Sequence, residues 1–507
     1  MPTAAPNNRL ALYAATNVLF LFVVGIAYAI GGSPNPRIFF LILIFALCAT
    51  PIIDLDALNG RYSLLGIFLF AYFLMFGAGD LGALVQGTTT EPSHAALSLT
   101  EVVILVGGAT LVVSYRLVAS ISSVIGQTSA PRDWSMRAIL SIGALMWAIG
   151  TYATYQWYVH IVTDTTNEAV HTGLQSQGTF NISVSILAQM MQPIGILLIA
   201  YAWRTYRFPI LVAPVLGIVV LQVALGFVAD AKGLAMLGGI LVIIAIVLID
   251  ARVPKLWLAG AVAYAILIFP IFQAYRTEIH GNRGIARADV VQNIGKVLGL
   301  TLSAEDRVNN GHGRAQTLLE RSSVRGSLQM IVAKTGNGVS YQHGYTLTPL
   351  IATFVPRIFW SDKPDVPTGQ LVNKEFHVSE GQDVYISPSH LGELYWNFGW
   401  PGVFIGMMCI GGILGWVGCR FNLADASTVT RLLITVVTIK QLVMGFEGVI
   451  AASYVVWLRS LAGIGLLHLM FAQAPAKLRN LTKNDREPNR LSAVNAIGTK
   501  PFPNLLS

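Results

Sequence analysis

The sequence predicts an all-α polytopic membrane protein with about 12 transmembrane helices and one large helical loop between spans 9 and 10. Three observations carry that expectation. Only 11% of the 507 residues are charged while 54% are hydrophobic, less than half the charge of an ordinary soluble domain. Twelve apolar runs have lengths suited to cross the hydrocarbon core. A single hydrophilic stretch, 275–397, interrupts them. A cytosolic enzyme, a disordered scaffold and a nucleic-acid-binding module are excluded by this composition.

The runs are 10–30, 38–53, 62–84, 97–114, 136–158, 181–203, 209–228, 234–250, 256–274, 398–419, 429–446 and 449–471, of which the second and eighth are short. Helices are expected because a bilayer offers the backbone no water to bond. The first run is too long for a signal-peptide core and no small-residue cleavage site follows it, so no cleavable signal is expected. Cys48, Cys409 and Cys419 all fall in apolar runs, without metal-site spacing or disulfide logic.

Orientation follows from lysine and arginine. With the amino terminus inside, the short cytoplasmic segments carry Arg9, Arg61, Arg116, Arg132, Arg137, Arg204, Arg207, Arg252, Lys255, Arg420 and Arg431. The short loops on the other side carry only Arg37 and Lys232. The net charge of +8 is therefore mostly topology rather than attraction to a polyanion. The resulting layout is spans 1–9 in 1–274, an outer loop in 275–397, spans 10–12 in 398–471 and a basic, disordered cytoplasmic tail in 472–507.

The outer loop holds twelve Lys/Arg, eleven Asp/Glu and five of the nine histidines, and long structured loops usually carry function. Amphipathic spacing predicts a helix over 285–300 and a second over 313–335. On the second, Arg314, Arg321 and Arg325 share one face, which suits a phosphate or diphosphate bound by planar guanidinium forks. The alternative is a solvated, salt-bridged face with Glu320. Residues 346–359 are apolar but too short to span and suit an interfacial helix ended by Pro356. Arg357 and Lys363 then sit at headgroup height, either against a lipid diphosphate or simply snorkelling. In 387–398, Ser387 is the expected N-cap and Pro388 the first helical residue. His390, Glu393 and Asn397 then share a face, as a general base with its neighbours or as a structural hydrogen-bonded stripe. Gly399, Trp400 and Pro401 break the chain before span 10. No third and fourth ligand joins His390 and Glu393 at a recognisable spacing, so no metal is expected.

Ionisable residues at or within the spans are functional candidates by default. Asp80 stands near the outer end of span 3, Lys232 in the tight loop before span 8, and Arg276 just past span 9. For Lys440, Glu447 and Arg459 an internal ion network locking the last hairpin is the preferred reading.

Five segments in order now carry a resemblance: Tyr275-Arg276, Arg321-Ser322, His343-Gly344-Tyr345-Thr346-Leu347, the run 355–364 (VPRIFWSDKP) and the run 392–402 (GELYWNFGWPG). The set resembles the Wzy-type O-antigen and exopolysaccharide polymerases over about residues 270–420. The resemblance implies a GT-C-like, metal-independent glycosyltransferase without a cofactor in the bacterial inner membrane. It would move a growing glycan from undecaprenyl diphosphate onto a new lipid-linked repeat unit at the periplasmic face. Its partners would be undecaprenyl-diphosphate-linked oligosaccharides, the lipid bilayer, and a chain-length regulator and flippase, with no nucleic acid. Arg276, Arg321, Arg325, Arg357 and Lys363 become the diphosphate candidates, and Glu393 with His390 the acceptor-activating pair. Asp80, Lys232, His343, Tyr395 and Asn397 stand as substrate-contacting or structural candidates. An O-antigen ligase of the same fold is one alternative. A twelve-span transporter or lipid-linked oligosaccharide flippase is another, disfavoured by the lack of self-similar halves.

Overall fold

The structure, a computed structural model, describes residues 6–31, 37–54, 63–81, 98–124, 133–156, 179–228, 232–250, 260, 324–352, 360, 368–378, 385–420 and 428–473. The apolar runs become helices. These are α1 (Pro6–Gly31), α2 (Arg37–Cys48, continued by a 3-10 turn Thr50–Asp54), α3 (Leu64–Phe76), α4 (Leu99–Val124) and α5 (Met136–Gln156). They continue as α6 (Thr179–Tyr206), α7 (Val212–Val228) and α8 (Lys232–Asp250). The ninth run, 256–274, lies outside the described residues apart from Gly260.

From the loop come α9 (Arg325–Lys334), a 3-10 turn Tyr345–Leu347 running into α10 (Thr348–Ala352), and α11 (Thr368–Phe376). The helices expected over 285–300 and in the first part of 313–335 lie outside the described residues. The carboxy-terminal third is α12 (Ser389–Arg420), α13 (Val429–Thr438) and α14 (Ile450–Phe471). A π-helical turn, Ile439–Val443, and a 3-10 turn, Met444–Glu447, extend α13. Seven of the described helices are long and apolar enough to cross a bilayer, and three shorter apolar ones accompany them, so the protein is an all-α membrane protein. Strand structure among the described residues is confined to two-residue β1 (Asp133–Trp134), paired antiparallel with β2 (Ala472–Gln473), and one isolated bridge. The second of these strands takes the first two residues of the 472–507 tail, whose remainder lies outside the described residues.

Most of the long helices are apolar nearly all round, as a helix facing lipid on one side and the bundle on the other must be. Val18, Phe22, Val220 and Leu469 remain exposed, while Phe68, Tyr72, Phe76 and Trp396 are wholly buried. Inside the bundle small residues bring backbones together, the usual means of helix association where lipid removes any hydrophobic drive. A Cβ on Gly150 of α5 would lie 2.3 Å from the Gln192 amide nitrogen of α6, and one on Gly195 of α6 2.4 Å from that of Trp147.

The bundle has two distinct ends. At one, the β1–β2 pair joins the start of α5 to the end of α14, and Arg204 on α6 pairs with Asp250 on α8. The Trp134 indole donates to the Thr430 hydroxyl at 3.1 Å, and that hydroxyl meets His468 Nδ1 at 2.8 Å. Arg116, Arg204, Arg420 and Arg431 lie toward this basic end. At the other, α9, the 341–347 segment and the first turns of α12 close over the ends of α2, α3, α4 and α14. This is the loop end.

Candidate active site at the loop end

The site is built on a broken helix. Gly399, at φ 63° and ψ −140°, interrupts α12 in a conformation open essentially only to glycine. It divides α12 into a half-helix, 389–398, and a long span from 400 to 420. Pro401 adds to the break by lacking the N–H that the Asn397 carbonyl would otherwise accept. The orphaned carbonyls are taken by a neighbour: Gln342 N–H donates to Trp396 O and His343 N–H to Asn397 O, both at 3.1 Å. His343 (φ 48°) and Gly344 (φ 90°) turn the chain to make this possible. The Asn397 side chain completes the clasp. Its Oδ1 accepts from Gly344 N–H at 2.8 Å, and its Nδ2 donates to Thr346 Oγ1 at 2.7 Å and Glu393 O at 2.8 Å. The segments 343–347 and 392–402, fifty residues apart in the chain, thus form one unit.

The start of the half-helix differs from expectation. Ser389, at φ 58°, is the capping residue, with its Oγ accepting from Gly392 N–H at 3.2 Å. Ser387 is drawn away instead. Its hydroxyl donates to Glu447 O, and its carbonyl accepts from Ser327 Oγ at 2.8 Å.

His390, Glu393 and Asn397 share a face, as their spacing required, and all three are fully buried. Glu393 Oε2 accepts from Ile450 N–H at 2.7 Å. Val449, the N-cap of α14, offers no side-chain cap, so the carboxylate supplies one at the end of the helix where negative charge is favoured. Oε1 makes no full hydrogen bond among the described residues, although the Thr346 hydroxyl stands close enough to act on the carboxylate. His390 packs between Phe446 and Tyr454, with ring centroids 4.9 and 5.7 Å away. Its Nε2 lies 3.3 Å from Ser453 Oγ, which itself donates to Gly445 O at 3.0 Å. A serine whose proton is committed to a carbonyl must accept from the imidazole. This assigns His390 the Nε2–H tautomer and leaves Nδ1 as a bare lone pair with no partner among the described residues.

A second constellation lies at the same end. Arg325, the first residue of α9, is buried between Asp80, in the helical turn after Gly77, and Glu101 on α4. The Arg325 Nη2–Glu101 Oε1 distance is 2.5 Å, Nη1 pairs with Asp80 Oδ2, and the guanidinium stacks 4.9 Å from the centre of the Phe40 ring. Two carboxylates occupy the fork that the family resemblance had offered to a diphosphate. Glu101 was missed as a candidate, yet Ser98-Leu99-Thr100-Glu101 carries the capping-box pattern. Ser98 N–H donates to Glu101 Oε2 at 2.8 Å, and Glu101 N–H to Ser98 Oγ at 3.3 Å.

Of the other candidates, His343 is exposed and acts through its backbone, and Tyr395 is buried edge-on to Trp400. Lys232 opens α8. Arg276, Arg321, Arg357 and Lys363 lie outside the described residues. No ion pair joins Lys440, Glu447 and Arg459 among the described residues, which corrects the network expected in the last hairpin. The π-helical turn around Lys440 and the Ser387–Glu447 bond shape that hairpin instead. The three cysteines are free, and no group of three metal-ligating side chains occurs among the described residues. No protein-family model, curated protein or solved structure matches the chain.

Proposed function

We propose that the protein is a polysaccharide polymerase of the inner membrane. It joins a glycan carried on undecaprenyl diphosphate to a new lipid-linked repeat unit at the periplasmic face. A sugar hydroxyl of the incoming unit attacks the anomeric carbon of the donor glycan. The new C–O bond forms as the bond to the diphosphate breaks, and the bonding pair leaves on the diphosphate oxygen. The hydroxyl proton passes to the Glu393–His390 pair on the half-helix. Glu393 also holds the half-helix against α14. Arg276, Arg321, Arg357 and Lys363 are assigned to the departing diphosphate, whose charge grows in the transition state and is best met by preplaced cations. Arg325 leaves that group because its fork is already engaged.

The observation that supports this reading is the carboxylate and imidazole of Glu393 and His390, buried on one face of a broken helix where the large loop meets the membrane bundle, with His390 Nδ1 unpaired among the described residues. The test is reconstitution in liposomes with undecaprenyl-diphosphate-linked repeat units. A ladder of extended glycans is expected, and His390→Ala should slow it by about 10²–10⁴-fold, the usual contribution of a general base. Intact protein that extends no chain would overturn the reading. Transfer only to a lipid A core would mark a ligase, and movement of repeat units without bond formation a flippase.

A further inference from the structure

The Asp80–Arg325–Glu101 cluster has a geometry that burial alone does not explain. One carboxylate neutralises one guanidinium, yet here a second carboxylate is withdrawn from water as well. Burying ions is costly, and well-packed apolar residues of the same volume are often as stable. What a planar fork held on two sides adds is orientation. The two acids come from different helical segments, and Phe40 of α2 closes the third side, so Arg325 is fixed against three elements at once.

Arg325 opens α9, and α9 bears directly on the half-helix. A Cβ built on Gly392 would lie 3.1 Å from Ile331 Cδ1 and 3.3 Å from Leu328 Cδ1, and Ser327 Oγ bonds Ser387 O. Gly392 is flanked by Glu393 and lies two residues from His390. A rotation of α9 is therefore passed to the imidazole within one packing contact.

We infer that Asp80 and Glu101 are positioning residues, which seat the loop through Arg325 and thereby set the orientation of the half-helix that carries His390 and Glu393. The kinetic part of this inference rests on the polymerase reading; the mechanical part does not.

The test is the neutral triple variant Asp80→Asn/Glu101→Gln/Arg325→Met, in which the new glutamine amide still serves the capping box. Amide hydrogen exchange is measured across the whole chain in nanodiscs, beside donor-saturated polymerisation. The expected result is exchange at 389–398 faster by about tenfold or more, with the α5–α6 pair unchanged. The maximal rate should fall about tenfold or more while the KM for the lipid-linked donor stays within about twofold. Arg325→Lys, which keeps the charge and loses the fork, should show the same selective pattern and guards against a triple variant that fails to fold. Unchanged exchange at 389–398, or acceleration spread evenly over all helices, would overturn the inference. Wild-type protein that makes no polymer would remove the polymerase reading, yet the exchange result would still decide the clamp.

Discussion

The two ends of the bundle use charge in opposite ways. At the basic end, Arg204 and Asp250 form a well-shaped fork whose side chains keep 37% and 23% of their exposure. At the loop end, Arg325, Asp80 and Glu101 keep 11%, 5% and 6%. Water screens the first pair, so removing it changes little, whereas removing one member of the second leaves buried charge without a partner. The polar side chains differ similarly. Thr430 and His468 link spans at the edge of the basic end, while His390, Glu393 and Asn397 sit wholly inside the loop end. An end that commits buried polar groups to one geometry is the end at which chemistry is to be sought.

That contrast can be broken by mutation. Arg325→Ala should have the largest effect, destabilising the protein by about 3–5 kcal/mol as two buried carboxylates lose their counter-ion. Thermal unfolding in detergent measures it, and a loss under about 1 kcal/mol would erase the distinction between the ends. Asn397→Leu should follow, at about 1–3 kcal/mol for each donor or acceptor left unmet, with Gly344 N–H and Thr346 Oγ1 the first to suffer. Limited proteolysis within 335–347 should accelerate with it. Gly399→Ala forces a Cβ into a left-handed conformation and to 3.3 Å from the Tyr341 ring, at a cost of about 1–3 kcal/mol in the same unfolding assay. Arg204→Ala should come last, within about 1 kcal/mol and smaller still at high salt.

The sequence made the basic end and the helix framework legible, because both are local properties. Runs of apolar residues, the arginines that flank them and the Gly399-Trp400-Pro401 break each speak for themselves. The i, i+3, i+7 stripe of His390, Glu393 and Asn397 was equally local and is present as one buried face. What stayed hidden depends on distant partners. Arg325 lies 224 residues from Glu101, and spacing on its own helix left a phosphate site and a solvated, salt-bridged face both open where two buried carboxylates stand. Ser387 had every local mark of an N-cap, but bonds to Glu447 and Ser327 consume it and pass the role to Ser389. Glu101 could have been found, since its capping box is a four-residue signal.

The carboxylate under Ile450 has a consequence for how the protein assembles. The half-helix is synthesised before the last span, and it waits with Glu393 lacking its amide donor. The first turn of α14 has no side-chain cap of its own, so its Ile450 N–H depends on Glu393 for an acceptor. Seating the half-helix supplies that acceptor, so closing the final hairpin and burying His390 are a single event. A nascent chain that stops short of residue 450 would therefore possess every residue of the half-helix and still have no finished site.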